Sequence, residues 1–126
     1  MPMCKVKELV IDDKKFYIAD IKHKYMNNIV DAARKCNLVD KVILFGSCLE
    51  ERCTDTSDID IAVFGSKTKY KTYHSKSYEN FLKQIYGFDL EQDYDVLYFQ
   101  TGEDNPQTIF QNILNGATIY AKNQEK

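Results

Sequence analysis

Apolar positions change their period several times along the 126 residues, and each change marks an element. Residues 42–45, Val-Ile-Leu-Phe, are continuously apolar and stop at Gly46, the pattern of a central strand covered on both faces. A second strand opens on Asp58-Ile59-Asp60 and runs to Phe64, closed by Gly65-Ser66. Strand side chains alternate faces, so Asp58 and Asp60 share one face while Ile59, Ile61 and Val63 take the other. Residues 93–99 repeat that arrangement, with Asp93, Asp95 and Leu97 opposed to Tyr94, Val96 and Tyr98.

The flanking segments supply the rest of the architecture. Residues 6–11 and 16–19 read as a hairpin around a polar turn at 12–15. Asp20 stands where an N-cap belongs for a helix to about Cys36, with Ile21, Tyr25, Ile29, Val30 and Ala33 at helical spacing and Asn37 as its stop. Residues 49–52 suit one helical turn, and residues 66–77 carry no core pattern and read as a mobile loop or a poorly ordered approach to a helix. Ser75 or Ser77 caps a helix bearing Phe81, Leu82 and Ile85, ended by Gly87. Asn105-Pro106 opens a last helix with Pro at its first position, whose apolar stripe is Ile109, Phe110, Ile113 and Leu114. Asn115-Gly116 ends it, residues 117–121 read as an edge strand, and the tail from 122 reads as frayed. This order predicts an α/β (α+β) fold with a small mixed sheet flanked by helices. The expectation is one domain over residues 1–126, with the hairpin at about 4–19 as an N-terminal extension.

Composition narrows the classes. Apolar content of 44% with 29% charged residues excludes a disordered chain. A net charge of −2 gives no global basic field, so nucleic acid is not an expected partner. The apolar runs are too short to span a membrane, and the N-terminus shows no signal-peptide core, which predicts a cytoplasmic protein without membrane contact. Cys4, Cys36, Cys48 and Cys53 lack metal-ligand spacing and read as reduced thiols. The Lys-rich and Tyr-rich stretch 66–78 and His74 read as solvated loop, His23 as surface, and Tyr25, Tyr94 and Tyr98 as packing residues.

Candidate chemistry lies in the carboxylates. The chain has twelve Asp, so a lone Asp-x-Asp carries little weight. Its surroundings add more. Gly46-Ser47 follows a buried strand in the position where free backbone N–H groups hold phosphate oxygens. If the two acidic strands are neighbours, three or four carboxylates converge. Two unit charges about 4 Å apart repel by roughly 4 kcal/mol at an effective dielectric near 20. Such a cluster calls for a cation, and an oxygen-only donor set suits Mg²⁺.

Gly46-Ser47, ten intervening residues and Asp58-Ile59-Asp60 together resemble the G-S-x(10)-D-x-D signature of the DNA polymerase β-like nucleotidyltransferase superfamily. Ser57 before the first Asp also fits the pattern. Asp95 looks like the third metal-binding Asp on its later strand, with Asp93 as the alternative on the same face. The Ile113…Gly116…Tyr120 ending is similar to that of the small members, so the chain resembles a minimal nucleotidyltransferase of the kind paired with HEPN proteins. The resemblance spans roughly residues 20–122. It implies that Gly46, Ser47 and Ser57 bind a nucleoside triphosphate, ATP by preference. It further implies that Asp58, Asp60 and Asp95 hold two Mg²⁺ ions, with Mn²⁺ able to substitute. The implied reaction is AMP transfer to a protein hydroxyl, a tyrosine of the HEPN ribonuclease in toxin–antitoxin pairs.

The chain departs from the family at Glu50-Glu51, where many members carry Arg-Gly. The change removes a phosphate-binding cation and the backbone freedom of Gly, and Arg52 is the nearest substitute. An alternative implied by this departure is a catalytically decayed binding module that neutralises a partner by occlusion. Transfer to a small molecule of the aminoglycoside type fits less well, because the chain has no length for an acceptor domain. A homo-oligomer could supply that wall from a second subunit.

Overall fold

The computed structural model describes residues 4–102 and 108–122. Two strands, β1 (Val6–Ile11) and β2 (Lys14–Ala19), form the expected hairpin. Its loop is shorter than the sequence suggests. Ile11 pairs with Lys14, and only Asp12 and Asp13 turn the chain, with φ of 52° and 69°. Two left-handed residues in succession match the right-handed twist of the flanking strands. Arg34 pairs with Asp12 and ties the turn to the end of α1 (His23–Lys35).

The N-cap expected at Asp20 is corrected. Residues Asp20–Lys22 form a 3-10 turn before α1, and the Asp20 carboxylate accepts the backbone N–H of Lys5 (3.3 Å) rather than a helix N–H. The helix buries Tyr25, Met26, Ile29, Val30, Ala32 and Ala33, which continue the stripe read from sequence.

The main sheet contains β3 (Lys41–Phe45), β4 (Ile59–Gly65), β5 (Tyr94–Gln100) and β6 (Ala117–Ala121) in the order β5-β4-β3-β6. β3 runs antiparallel to both β4 and β6, while β4 and β5 are parallel. The sheet is therefore mixed, as expected. Connecting the parallel pair are α2 (Lys69–Tyr73) and α3 (Lys76–Phe88). α2 lies inside the stretch read as a loop or a helix approach, and it is an ordered helix. Thr68 caps it by accepting the N–H of Lys71 (3.2 Å), Thr72 is buried, and Tyr73 stacks on Tyr78. Ser75 caps α3 by accepting the N–H groups of Ser77 and Tyr78, and α3 continues through Gly87 to Phe88.

Strand parity sorts the core. Val42, Leu44, Ile59, Ile61, Val63 and Tyr98 join α1, α3 and the hairpin in the larger cluster. Ile43, Phe45, Ala62 and Phe64 pack with Leu97, Phe99 and Ile113 of α4 (Thr108–Leu114) on the opposite face. The expected Asn105-Pro106 helix start lies outside the described residues, as do the side chains of Ile109 and Phe110 and the tail beyond 122. His23, expected at the surface, is half-buried with its Nε2 hydrogen-bonded to the carbonyl of Ile18 (2.8 Å). All four cysteines are buried and unpaired.

Gly suits the second position of a two-residue turn with positive φ better than Asp does, because no Cβ crowds the carbonyl there. Asp13→Gly is therefore expected to stabilise the protein by about 0.5–1 kcal/mol, a rise of roughly 2–5 °C in Tm. Calorimetry checks the prediction, and an unchanged or lower Tm would contradict it.

Candidate active site

The acidic residues reach one place because two strand starts are held in register. Asp60 is the direct partner of Asp95 across the parallel β4–β5 ladder, and neighbouring strands lie about 4.8 Å apart. Both project on the face of Ala62, Phe64, Leu97 and Phe99. On its other side Asp60 pairs with Phe45, the last residue of β3. The next residue, Gly46, opens a 3-10 turn over Gly46–Leu49, three residues earlier than the turn expected from 49. Gly46 has φ of +80°, and a Cβ there would strike the Asp60 carboxylate. Only Gly meets both conditions. The phosphate-type turn is thus in contact with the carboxylate expected to bind metal.

Charge and burial act together on Asp60. Burial raises its pKa first, and the charges of Asp95 and then Asp58 add to the rise, while Arg52 opposes it. Asp93 does not enter that balance. It lies just before β5, and its carbonyl accepts the N–H of Ile59 (3.0 Å), so its main chain joins the two strand starts. The Arg52 guanidinium pairs with the Glu50 carboxylate and still counteracts the charge of Asp60. The cation that opposes the charge of Asp60 is therefore shared with one of the two residues that depart from the family pattern. Ser47 is half-buried in the turn, and its carbonyl accepts the N–H of Glu50 (2.9 Å). Cys48 is fully buried, its thiol pKa pushed up to about 12 by burial, and it donates to the carbonyl of Asp58 (3.8 Å).

The loop leading into Asp58 is organised by a residue with no evident signal in its type. Lys22 is 1% exposed. Its ammonium donates to the carbonyls of Asp55 (3.2 Å) and Ser57 (2.9 Å) and to Oε1 of Gln92 (2.6 Å). Three donors meet three acceptors, which is full satisfaction for a lysine. Gln92, also buried, donates from Nε2 to the carbonyls of Ser57 (3.0 Å) and Asp93 (2.6 Å). The hydroxyl of Ser57 accepts the N–H of Thr54 (2.9 Å), which closes the same loop. Position alone could have revealed Lys22, since it lies on the stripe of Met26 and Ile29, one turn earlier. Among the described residues, no group of three or more His, Cys, Asp or Glu side chains is gathered so as to hold a metal ion unaided.

A four-stranded mixed sheet carrying paired carboxylates on adjacent strands, with a glycine turn against them, is consistent with a polymerase β-like nucleotidyltransferase fold. The chain belongs to the family described as Polymerase beta, Nucleotidyltransferase, whose model matches residues 27–125. The matched span begins inside α1, so the β1–β2 hairpin lies outside it. A search among curated proteins finds no match. No helix among the described residues is long and apolar enough to cross a membrane.

Two predictions follow from these contacts. Lys22→Met keeps the length of the side chain but takes a donor from the carbonyls of Asp55 and Ser57 and from Oε1 of Gln92, with Gln92 Nε2 still donating to Ser57, a loss of about 2–4 kcal/mol. Urea unfolding should show the unfolding free energy in water fall by that amount, and a wild-type value would remove Lys22 from its organising role. Asp60→Asn should raise the Tm of the ligand-free protein at neutral pH, because the folded state disfavours the ionised carboxyl. A raised carboxyl pKa means stability is lost as pH rises through the folded-state value. The Tm gap between variant and wild type should accordingly close as pH falls below that value, and a gap that is constant with pH would contradict the assignment.

Proposed function

We propose that this protein transfers AMP from ATP to a hydroxyl of another protein, in a Mg²⁺-dependent reaction, as the antitoxin of a HEPN pair. The observation that carries the proposal is the direct pairing of Asp60 with Asp95, with Gly46 packed on Asp60 from the opposite side. Adjacent carboxylates repel one another unless a cation accompanies them. The donors are all oxygen, which suits a hard cation. Mg²⁺ characteristically takes one or two carboxylates together with substrate phosphates and water rather than a complete protein cage. Asp58 and Asp60 would hold both ions, and Asp95 the one on the acceptor side. When bound, the ions supply neutralisation of the phosphates and polarisation of the acceptor oxygen.

The remaining work belongs to the chain. The Gly46-Ser47 turn presents main-chain N–H groups to phosphate oxygens, and the missing Cβ lets it approach closely. Ser57 closes its loop by accepting the N–H of Thr54 and keeps its own O–H to donate to a phosphate oxygen. The acceptor oxygen bonds to the α-phosphorus as the bond to the oxygen leading to the β-phosphate breaks. Pyrophosphate departs with that oxygen, and the acceptor proton passes to an Asp95 carboxylate oxygen and on to water. A second reading, the non-catalytic occluding module, is favoured by one observation: Glu50 sequesters Arg52 and adds negative charge beside the phosphate turn.

Titration calorimetry with ATP and Mn²⁺ tests both. Saturable binding is expected, weakened at least tenfold by Asp58→Asn, by Asp95→Asn and by Gly46→Ala. With labelled ATP, Mg²⁺ and the product of the adjacent gene, wild type should label that product and Asp58→Asn should not. Equal labelling by both would refute the enzymatic proposal. Absence of any ATP binding at millimolar concentration would leave the occluding module.

A further inference from the structure

β5 carries Asp95 and is also a sheet edge. Among the described residues it pairs with β4 alone. The Ile59 N–H donates to the Asp93 carbonyl and the Thr101 N–H to the Gly65 carbonyl (2.7 Å), in a register that sets Ile59 opposite Tyr94 and Gly65 opposite Gln100. In a parallel ladder this assigns the main-chain groups of the odd-numbered residues to β4. Those of Tyr94, Val96 and Tyr98 consequently turn toward the free edge. Beside that edge, on the helix face, is a groove of about 340 Å³ lined by Tyr73, Tyr78, Glu79, Leu82, Tyr86 and Val96. Glu79 is paired with Lys76 and Lys83, so the groove is largely apolar in character. Burial raises the Tyr86 phenol pKa and the charges of Asp95 and Asp93 add to it, which puts one end of the groove within electrostatic reach of the carboxylates.

The ends of the edge differ in charge. Asp89, Glu91 and Asp93 precede β5. At the other end the Tyr98 hydroxyl donates to the carbonyl of Lys67 (2.7 Å), just before α2 with Lys69 and Lys71. An edge with outward N–H and C=O groups recognises an extended polypeptide, and side-chain pockets beside it set which one.

We propose that the acceptor of the reaction above is an extended protein segment that adds as an antiparallel strand to β5, its hydroxyl residue opposite Asp95. Because alternate residues face opposite sides, that hydroxyl lies on the carboxylate face while its two neighbours enter the Tyr73–Tyr86 groove and are apolar. The residue opposite Asp93 is basic, and the segment's other end, over Lys67 and α2, is acidic. The inference rests on the proposed transferase activity for its chemistry, but the docking itself is measurable without it.

The probe is a fluorescein-labelled peptide, Glu-Glu-Ile-Tyr-Val-Lys-Lys, followed by anisotropy on the full chain without nucleotide. Saturable binding is expected, weakened at least tenfold when the charged ends are exchanged or when the peptide N–H groups facing β5 are methylated. Val96→Pro removes an outward N–H while leaving the bonds to β4, and Leu82→Glu charges the groove; both should abolish binding, with far-ultraviolet circular dichroism unchanged. Equal binding of the peptide and its charge-exchanged or methylated forms would overturn the proposal. So would binding of a single-stranded RNA decamer that displaces the peptide from the groove. A parallel ATP–Mn²⁺ titration separates the two claims. ATP binding without peptide binding sinks the docking proposal alone, and peptide binding without ATP binding sinks the transferase alone.

Discussion

One buried ammonium holds the beginnings of both acidic strands. Lys22 donates to segments that are far apart in sequence, the 55–57 loop ahead of β4 and Gln92 ahead of β5. Its partners are uncharged oxygens, so the cation is solvated by protein in place of water. Burying a charge is costly unless every donor is satisfied, and here each is. Gln92 passes the constraint on to Asp93, whose carbonyl also receives the Ile59 N–H. Displacing any member would move Asp58 relative to Asp95. The geometry of the site therefore depends on a side chain that touches neither.

The two faces of β4 have opposite energetic roles, and their magnitudes decide which prevails. Ile59, Ile61 and Val63 are fully buried on the helix face, and each contributes about 1.5–3 kcal/mol. Asp60 on the other face is partly desolvated beside two like charges, with Arg52 as its opposing cation. Because it remains in part exposed, water screens much of that repulsion. Burial on one side exceeds the repulsion on the other, and the strand keeps its register with the carboxylates unneutralised. Gly46 adds a steric condition, since its turn fits against Asp60 only without a Cβ. A site that is electrostatically unfavourable when empty favours whatever cation restores balance.

Where one physical rule acts alone, the chain was legible. Alternation along 58–63 and 93–98 assigned faces to every carboxylate and apolar residue, and the register of β4 with β5 has Asp60 facing Asp95. The run 42–45 marked the central strand in the same way. Long-range compensation was not legible. Lys22 falls on the buried stripe of α1, but a lysine signals solvent until its acceptors, more than thirty residues away, are known. Asp20 looked like a cap because nothing local reveals that the Lys5 N–H arrives first. α2 was legible only as one of two readings because five residues give too short a period, and its order comes from Thr68 and from aromatic stacking between Tyr73 and Tyr78. The two-residue turn at Asp12-Asp13 was hidden because neither residue is Gly or Asn.

The strand order has a consequence for the proposed chemistry. In-line displacement requires the attacking oxygen and the departing phosphate on opposite sides of the reacting phosphorus. The Gly46 turn stands at the end of β3, to one side of Asp60, while Asp95 stands on β5, to the other. A nucleotide gripped by the turn would thus point its leaving group toward β3, and the opposite approach opens at the β5 edge. No strand beyond β5 stands in that path among the described residues. An acceptor arriving laterally would therefore meet the α-phosphate from the side that the mechanism demands. The same sheet order that gathers the carboxylates would also separate the two substrates of the proposed reaction.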